Sequence, residues 1–101
     1  MGLDLQITQM SDFRTDKKGR ETWTTTVLCN LRNTYQFLDN LNWSMTNGIE
    51  NNAYYSVQGS KLWECANDIE DEAEKERVYN ALTKADIIND EDECYDIGAS
   101  W

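Results

Sequence analysis

With 19 acidic and 9 basic side chains in 101 residues, the chain carries a formal charge of −10. It contains no histidine and no proline. These counts suit a single domain and exclude imidazole catalysis and His-bearing zinc sites. They also set the surface against direct binding of nucleic acid or anionic membranes, which select basic partners.

Four tryptophans, five tyrosines and two phenylalanines supply the bulk of a core, so the chain reads as folded. Cys29, Cys65 and Cys94 are spaced too widely for a Cys-x-x-Cys metal or redox motif. An odd, scattered set suits buried, inert thiols in a reducing compartment. No apolar run is long enough to cross a membrane, and no basic-then-apolar leader opens the chain, so a cytoplasmic protein is expected. The charge is polarised: residues 1–50 hold 5 basic and 6 acidic side chains, whereas residues 51–101 hold 4 and 13.

In chain order, Leu3, Leu5 and Ile7 alternate with Asp4, Gln6 and Thr8, a half-buried strand. Glu21 to Cys29 is threonine-rich and predicts a second strand with Trp23, Thr25, Val27 and Cys29 on one face. Thr15 to Arg20 between them has turn chemistry, so residues 1–29 form a β-hairpin with a long, basic, solvated loop. From Leu31 the period becomes helical. Leu31, Tyr35, Phe37, Leu38, Leu41 and Met45 share one side of a wheel over residues 30–48. Asn30 is its expected cap, Asn47-Gly48 its expected end, and Trp43 projects from the opposite side, where another element is expected to cover it, the alternative being a partner.

Residues 53–57 predict a short third strand. Ser60 then opens a helical stretch over 60–86 whose first apolar set is Leu62, Cys65, Ala66, Ile69 and Ala73. Val78, Leu82 and Ala85 fall on the opposite side of the same wheel, so the helix must kink or break near 70–74. Asp71-x-x-Glu74 is the expected capping box of the second piece. Residues 87–101 form an acidic tail that suits a last strand, a docked segment or a frayed end. The fold class is α+β: a hairpin and a short third strand packed by about three helices, in the order ββαβαα.

Two acidic clusters carry the functional reading. The first is Asp68, Glu70, Asp71, Glu72, Glu74 and Glu76; the second is Asp86, Asp90, Glu91, Asp92, Glu93 and Asp96. Within the first, Asp68/Glu72 and Glu70/Glu74 would be like-charged i, i+4 pairs, with only Lys75, Arg77 and Lys84 nearby to offset them. A solvated acidic face is the plain alternative. Asp90, Asp92 and Asp96 match three positions of an EF-hand loop. Tyr95 occupies the required glycine position, and Trp101 the final glutamate position, so no metal or other cofactor is expected. Duplex DNA presents a charge per roughly 1.7 Å of axis, and a helix rises about 1.5 Å per residue. Closely spaced carboxylates can therefore imitate a nucleic-acid backbone, with Trp43, Trp63, Tyr79, Tyr95 or Trp101 as aromatic anchors if exposed.

The opening Met1-Gly2-Leu3-Asp4-Leu5, with Tyr54-Tyr55-Ser56-Val57 through Leu62, resembles a group of small bacteriophage proteins of unassigned function that begin Met-Gly-Leu-Asp-Met. In size, acidity and lack of catalytic residues the chain is also similar in kind to phage-encoded anti-CRISPR and anti-restriction DNA mimics. That resemblance implies a non-enzymatic inhibitor acting in a bacterial host cell. Its partner would be a basic nucleic-acid-binding protein such as a CRISPR effector nuclease. An immunity protein against a basic nuclease toxin, or a small structural or ligand-binding phage protein, are the alternatives.

Overall fold

A computed structural model describes residues 2–44 and 48–101. The elements are β1 (Asp4–Thr15), β2 (Glu21–Arg32), α1 (Tyr35–Ser44), β3 (Tyr54–Gln58), α2 (Gly59–Asn67), α3 (Glu72–Lys84) and β4 (Cys94–Ser100). The class is α+β, with four antiparallel strands rather than three, in the order β2-β1-β4-β3. The acidic tail therefore supplies a central strand. Its period-two run Tyr95, Ile97 and Ala99 is buried, between β1 on one side and β3 on the other.

All three helices cover one face of the sheet. Leu3, Leu5, Ile7, Leu31, Val57 and Ile97 line that face and meet Phe37, Leu41, Leu62, Val78 and Leu82 from the helices. The opposite face carries Asp4, Gln6, Asn30, Tyr54 and Ser56 and is covered by no helix among the described residues. Gly98 is needed there, since a Cβ would collide with the Tyr54 ring lying across it.

The hairpin is longer, and its loop shorter, than expected. Its two 12-residue strands run out to a five-residue turn, and the molecule measures 51 × 27 × 24 Å. Two register shifts shape this arm. Leu28 is an extra residue between the pairs Ile7–Cys29 and Thr8–Val27. The bulge separates Cys29, on the core face, from Trp23, Thr25 and Val27, so the four do not share a face. Farther out, Asp12 and Phe13 together oppose Trp23, with Asp12 at φ 55°.

Helix α1 begins four residues later than its apolar period suggested. Leu31 pairs with Leu5 in the sheet, and Asn30 bonds Gln6 across the strands instead of capping a helix. Asn33, at φ 57°, makes the turn, and its Oδ1 accepts from the Leu3 N–H. Met45 and Asn47 lie outside the described residues. Ser60 is not a cap: α2 starts at Gly59 after Gln58, whose side chain makes no cap bond. Its first N–H groups donate to the Glu93 and Asp90 carbonyls of the α3–β4 loop. Gly59 permits that approach, because a Cβ would meet the Ile88 carbonyl.

The break between α2 and α3 falls at residues 68–71. Ile69 completes the first apolar set, Val78 and Leu82 form the second, and Ala73 is exposed. Helix α3 ends in a Schellman turn: Asp86 takes φ 55°, and Ile87 N–H donates to the Leu82 carbonyl.

Candidate partner interface

The first acidic cluster separates into residues with structural duties and residues without. Asp71 caps α3, accepting from the Ala73 N–H at 3.0 Å. Glu72 lies in the first helical turn, where the positive end of the helix dipole favours a carboxylate. Glu74 is only 5% exposed and its Oε2 accepts the Phe37 N–H at 2.8 Å. Glu74 is therefore withdrawn from any partner surface, and neither half of the expected capping box forms: Asp71 accepts from Ala73 instead of residue 74, and the Asp71 N–H donates to Gln36. Asp68, Glu70 and Glu76 are exposed, and no hydrogen bond or ion pair holds their carboxylates among the described residues. Because the helix breaks at 68–71, Asp68/Glu72 and Glu70/Glu74 are not neighbours on one helix. Only Glu72/Glu76 is a true i, i+4 pair.

Two of the three cations expected to offset this charge contact other groups, and Lys84 lies in the last turn of α3, away from the cluster. Lys75 Nζ sits 6.0 Å from the Tyr79 ring centroid, and Arg77 Nη1 donates to the Arg32 carbonyl at 2.9 Å. The ion pairs among the described residues are Arg20–Asp16, Arg32–Asp4 and Lys61–Glu64, none of them within either acidic cluster.

Tertiary structure adds a residue that sequence reasoning missed. Asp39 of α1 joins Asp68 and Glu70 across a groove of about 250 Å³, floored by Gln36 and Asn40. The Gln36 Oε1 accepts from both the Glu70 and Asp71 N–H groups, at 2.9 and 3.0 Å. Asn40 Nδ2 donates to the Cys65 carbonyl at 2.9 Å. These bonds dock α1 against the α2–α3 break and hold the three carboxylates at one rim. Helical spacing places Trp43 on the same stripe as Gln36, Asp39 and Asn40, and its side chain is 90% exposed. The only signal for Asp39 in the sequence was its place beside Trp43 on the helical wheel.

The second cluster does not join the first. Asp86 follows the C-terminal end of α3, and Asp90, Glu91 and Asp92 lie in the loop whose Asp90 and Glu93 carbonyls accept from the start of α2, whereas the first cluster lies around the α2–α3 break at the other end of both helices. Asp90 Oδ1 accepts from the Asp92 N–H, closing an Asx turn. Glu93 is half-buried beside α2. Asp96 alternates with the buried Tyr95 and Ile97 and so belongs to the sheet face opposite the helices, apart from both groups. No group of three Cys, Asp or Glu side chains among the described residues converges as a metal site would require.

In a cleft of about 240 Å³ on the sheet face opposite the helices, three of the polar side chains bond one another. Tyr54 donates its hydroxyl to Gln6 Oε1, and Gln6 Nε2 donates to Asn30 Oδ1. No helix among the described residues is long and apolar enough to cross a membrane. Compared with protein-family models, curated proteins and solved structures, the chain shows no significant match.

Proposed function

We propose that the protein is a non-enzymatic inhibitor that occupies the basic nucleic-acid groove of a bacterial defence nuclease, such as a CRISPR effector, by imitating a phosphate backbone. The observation that carries this reading is the groove lined by Asp39, Asp68 and Glu70, with the exposed Trp43 one helical turn beyond Asp39 on α1. Unpaired carboxylates supply long-range attraction to a basic surface and speed encounter at low salt. An exposed tryptophan beside them supplies the desolvated anchor that charge alone lacks. The exposed Glu72 and Glu76 add charge on α3, and Asp90, Glu91 and Asp92 present a second patch at the opposite end of α2.

The test is capture from a bacterial lysate at low salt, comparing wild type with Asp68→Lys/Glu70→Lys/Glu76→Lys and with Trp43→Ala. Wild type retains a basic nucleic-acid-binding protein that raised salt or competing duplex DNA releases. Both variants retain at least tenfold less. Equal retention by wild type and the charge-reversal variant overturns the proposal.

A further inference from the structure

Beyond β4's reach, the β1–β2 hairpin continues as a two-stranded arm. β4 pairs with β1 only as far as Thr8, and no strand among the described residues pairs with the outer side of β2. A lone two-stranded ribbon is marginally stable in water. This one also exposes an apolar face. Register places Met10, Trp23 and Val27 on the same side, and the Phe13 and Trp23 ring centroids are 6.5 Å apart. Phe13 is 69% exposed and Trp23 50%.

The outer edge of β2 lacks the usual protection against strand pairing. From Thr22 to Asn30 it carries no charge, and its Thr-Trp-Thr-Thr-Thr-Val run has high β-propensity. Its inner end is closed, because Arg77 occupies the Arg32 carbonyl. The opposite edge strand, β3, is only five residues long.

We propose that the arm is a self-association surface: β2 of one molecule pairs antiparallel with β2 of a second copy, across a two-fold axis, over Thr22–Val27. The charge distribution selects this occupant and this geometry. Residues 9–28 carry four cations and three anions, a net of +1, so the rest of the chain carries −11. Two copies meeting body to body bring strongly acidic surfaces together. Antiparallel arms instead place the acidic bodies at opposite ends, roughly 20 Å apart at 3.3 Å per residue, which exceeds the Debye length of about 8 Å at physiological salt. Pairing joins the apolar faces of the two arms into one strip and satisfies the free backbone groups of both edges. The paired area lies at the small end of specific interfaces, so the dimer forms in the range of about 10–100 µM.

Sedimentation equilibrium on the full chain tests this. Wild type dimerises, and association tightens as salt screens the repulsion between bodies. Thr24→Lys/Thr26→Lys, which introduces edge charges, is a monomer with an unchanged far-UV spectrum. In wild type, amides within Thr22–Val27 gain about tenfold protection from hydrogen exchange between about 10 µM and 1 mM. A wild type that stays monomeric at about 1 mM overturns the proposal, as does a lysine variant that dimerises equally well or unchanged exchange in Thr22–Val27. A dimer that dissociates with salt also overturns it, since that marks a basic arm tip seated on a partner's acidic body.

Discussion

Glu74, on the first turns of α3, accepts the Phe37 N–H at the start of α1 through a 2.8 Å hydrogen bond buried in the core. The bond satisfies a donor that the helix itself leaves without a partner. Gln36 answers from α1, accepting two N–H groups at the α2–α3 break. Each helix start is thus capped or positioned by a side chain of the other.

Removing the carboxylate tests that arrangement. Glu74→Ala leaves the Phe37 N–H buried and unpaired, an expected loss of about 1–3 kcal/mol in urea unfolding. Glu74→Gln keeps an acceptor and loses less. A lysine at this position would report on folding, so Glu74 does not belong in a charge-reversal set aimed at a partner.

Thr34 offers the converse case. Its Oγ1 is buried with no partner among the described residues, while its carbonyl accepts the Leu38 N–H. Thr34→Val exchanges an unsatisfied hydroxyl for a methyl of similar size. Chemical denaturation should give an unchanged stability or a gain of up to about 1 kcal/mol.

The exposed carboxylates repel one another with little local compensation. The unfolding midpoint of wild type should therefore rise with added salt, a response that screening produces at exposed like charges. Replacing Glu76 by lysine removes its i, i+4 repulsion with Glu72 and should stabilise by a few tenths, about 0.2–0.5 kcal/mol, in the same assay.

The thiols differ in reactivity. Burial pushes the Cys29 thiol up from 9.0 to about 11 and raises that of Cys65, while Cys94 is exposed. Iodoacetamide at pH 8 should modify Cys94 first in the folded chain and all three cysteines in denaturant, as mass spectrometry would count. The folded state holds the Cys29 proton more tightly than the unfolded state does. Its contribution to stability is complete below pH 9 and is lost as pH rises toward about 11. Cys29→Ser should flatten the alkaline decline.

At the arm's tip, Asp16 accepts from the Arg20 N–H, the Lys18 N–H and the Arg20 Nε. The bond from the Arg20 backbone is the main cause that holds its carboxyl below the usual 3.8. The lowered value means the turn is supported above pH 3.8 and loosens as pH falls through the folded-state value. NMR should show the Lys18 and Arg20 amide shifts moving together in that acidic window. Asp16→Ala should abolish the coupled shift and speed tryptic cleavage after Lys17 and Lys18.

Much of the fold was legible because local pattern and burial agree. Leu3, Leu5 and Ile7 alternate in the sequence and are buried in the sheet. The opposed apolar sets around Ile69 and Val78 demanded a break, and the chain breaks at 68–71. The α1 start was misplaced because Leu31 fits a helical face and a sheet face equally well. Its pairing with Leu5 decides the matter, and no local signal carries that information. The tail's alternation of Tyr95, Ile97 and Ala99 was present but preceded by acids, so its central place in the sheet was hidden.

By itself, the amino-acid sequence determined the charge polarity, the absence of imidazole chemistry, the hairpin and the helix break, since each depends on composition or short-range periodicity. Only the tertiary structure decided which carboxylates are free. The same carboxylate group becomes a cap at Asp71, a buried bond at Glu74 or part of an open groove at Asp39, Asp68 and Glu70, according to which backbone donors the fold brings near. Desolvation and hydrogen bonding between elements distant in the chain make that distinction, and neither is written in spacing along it.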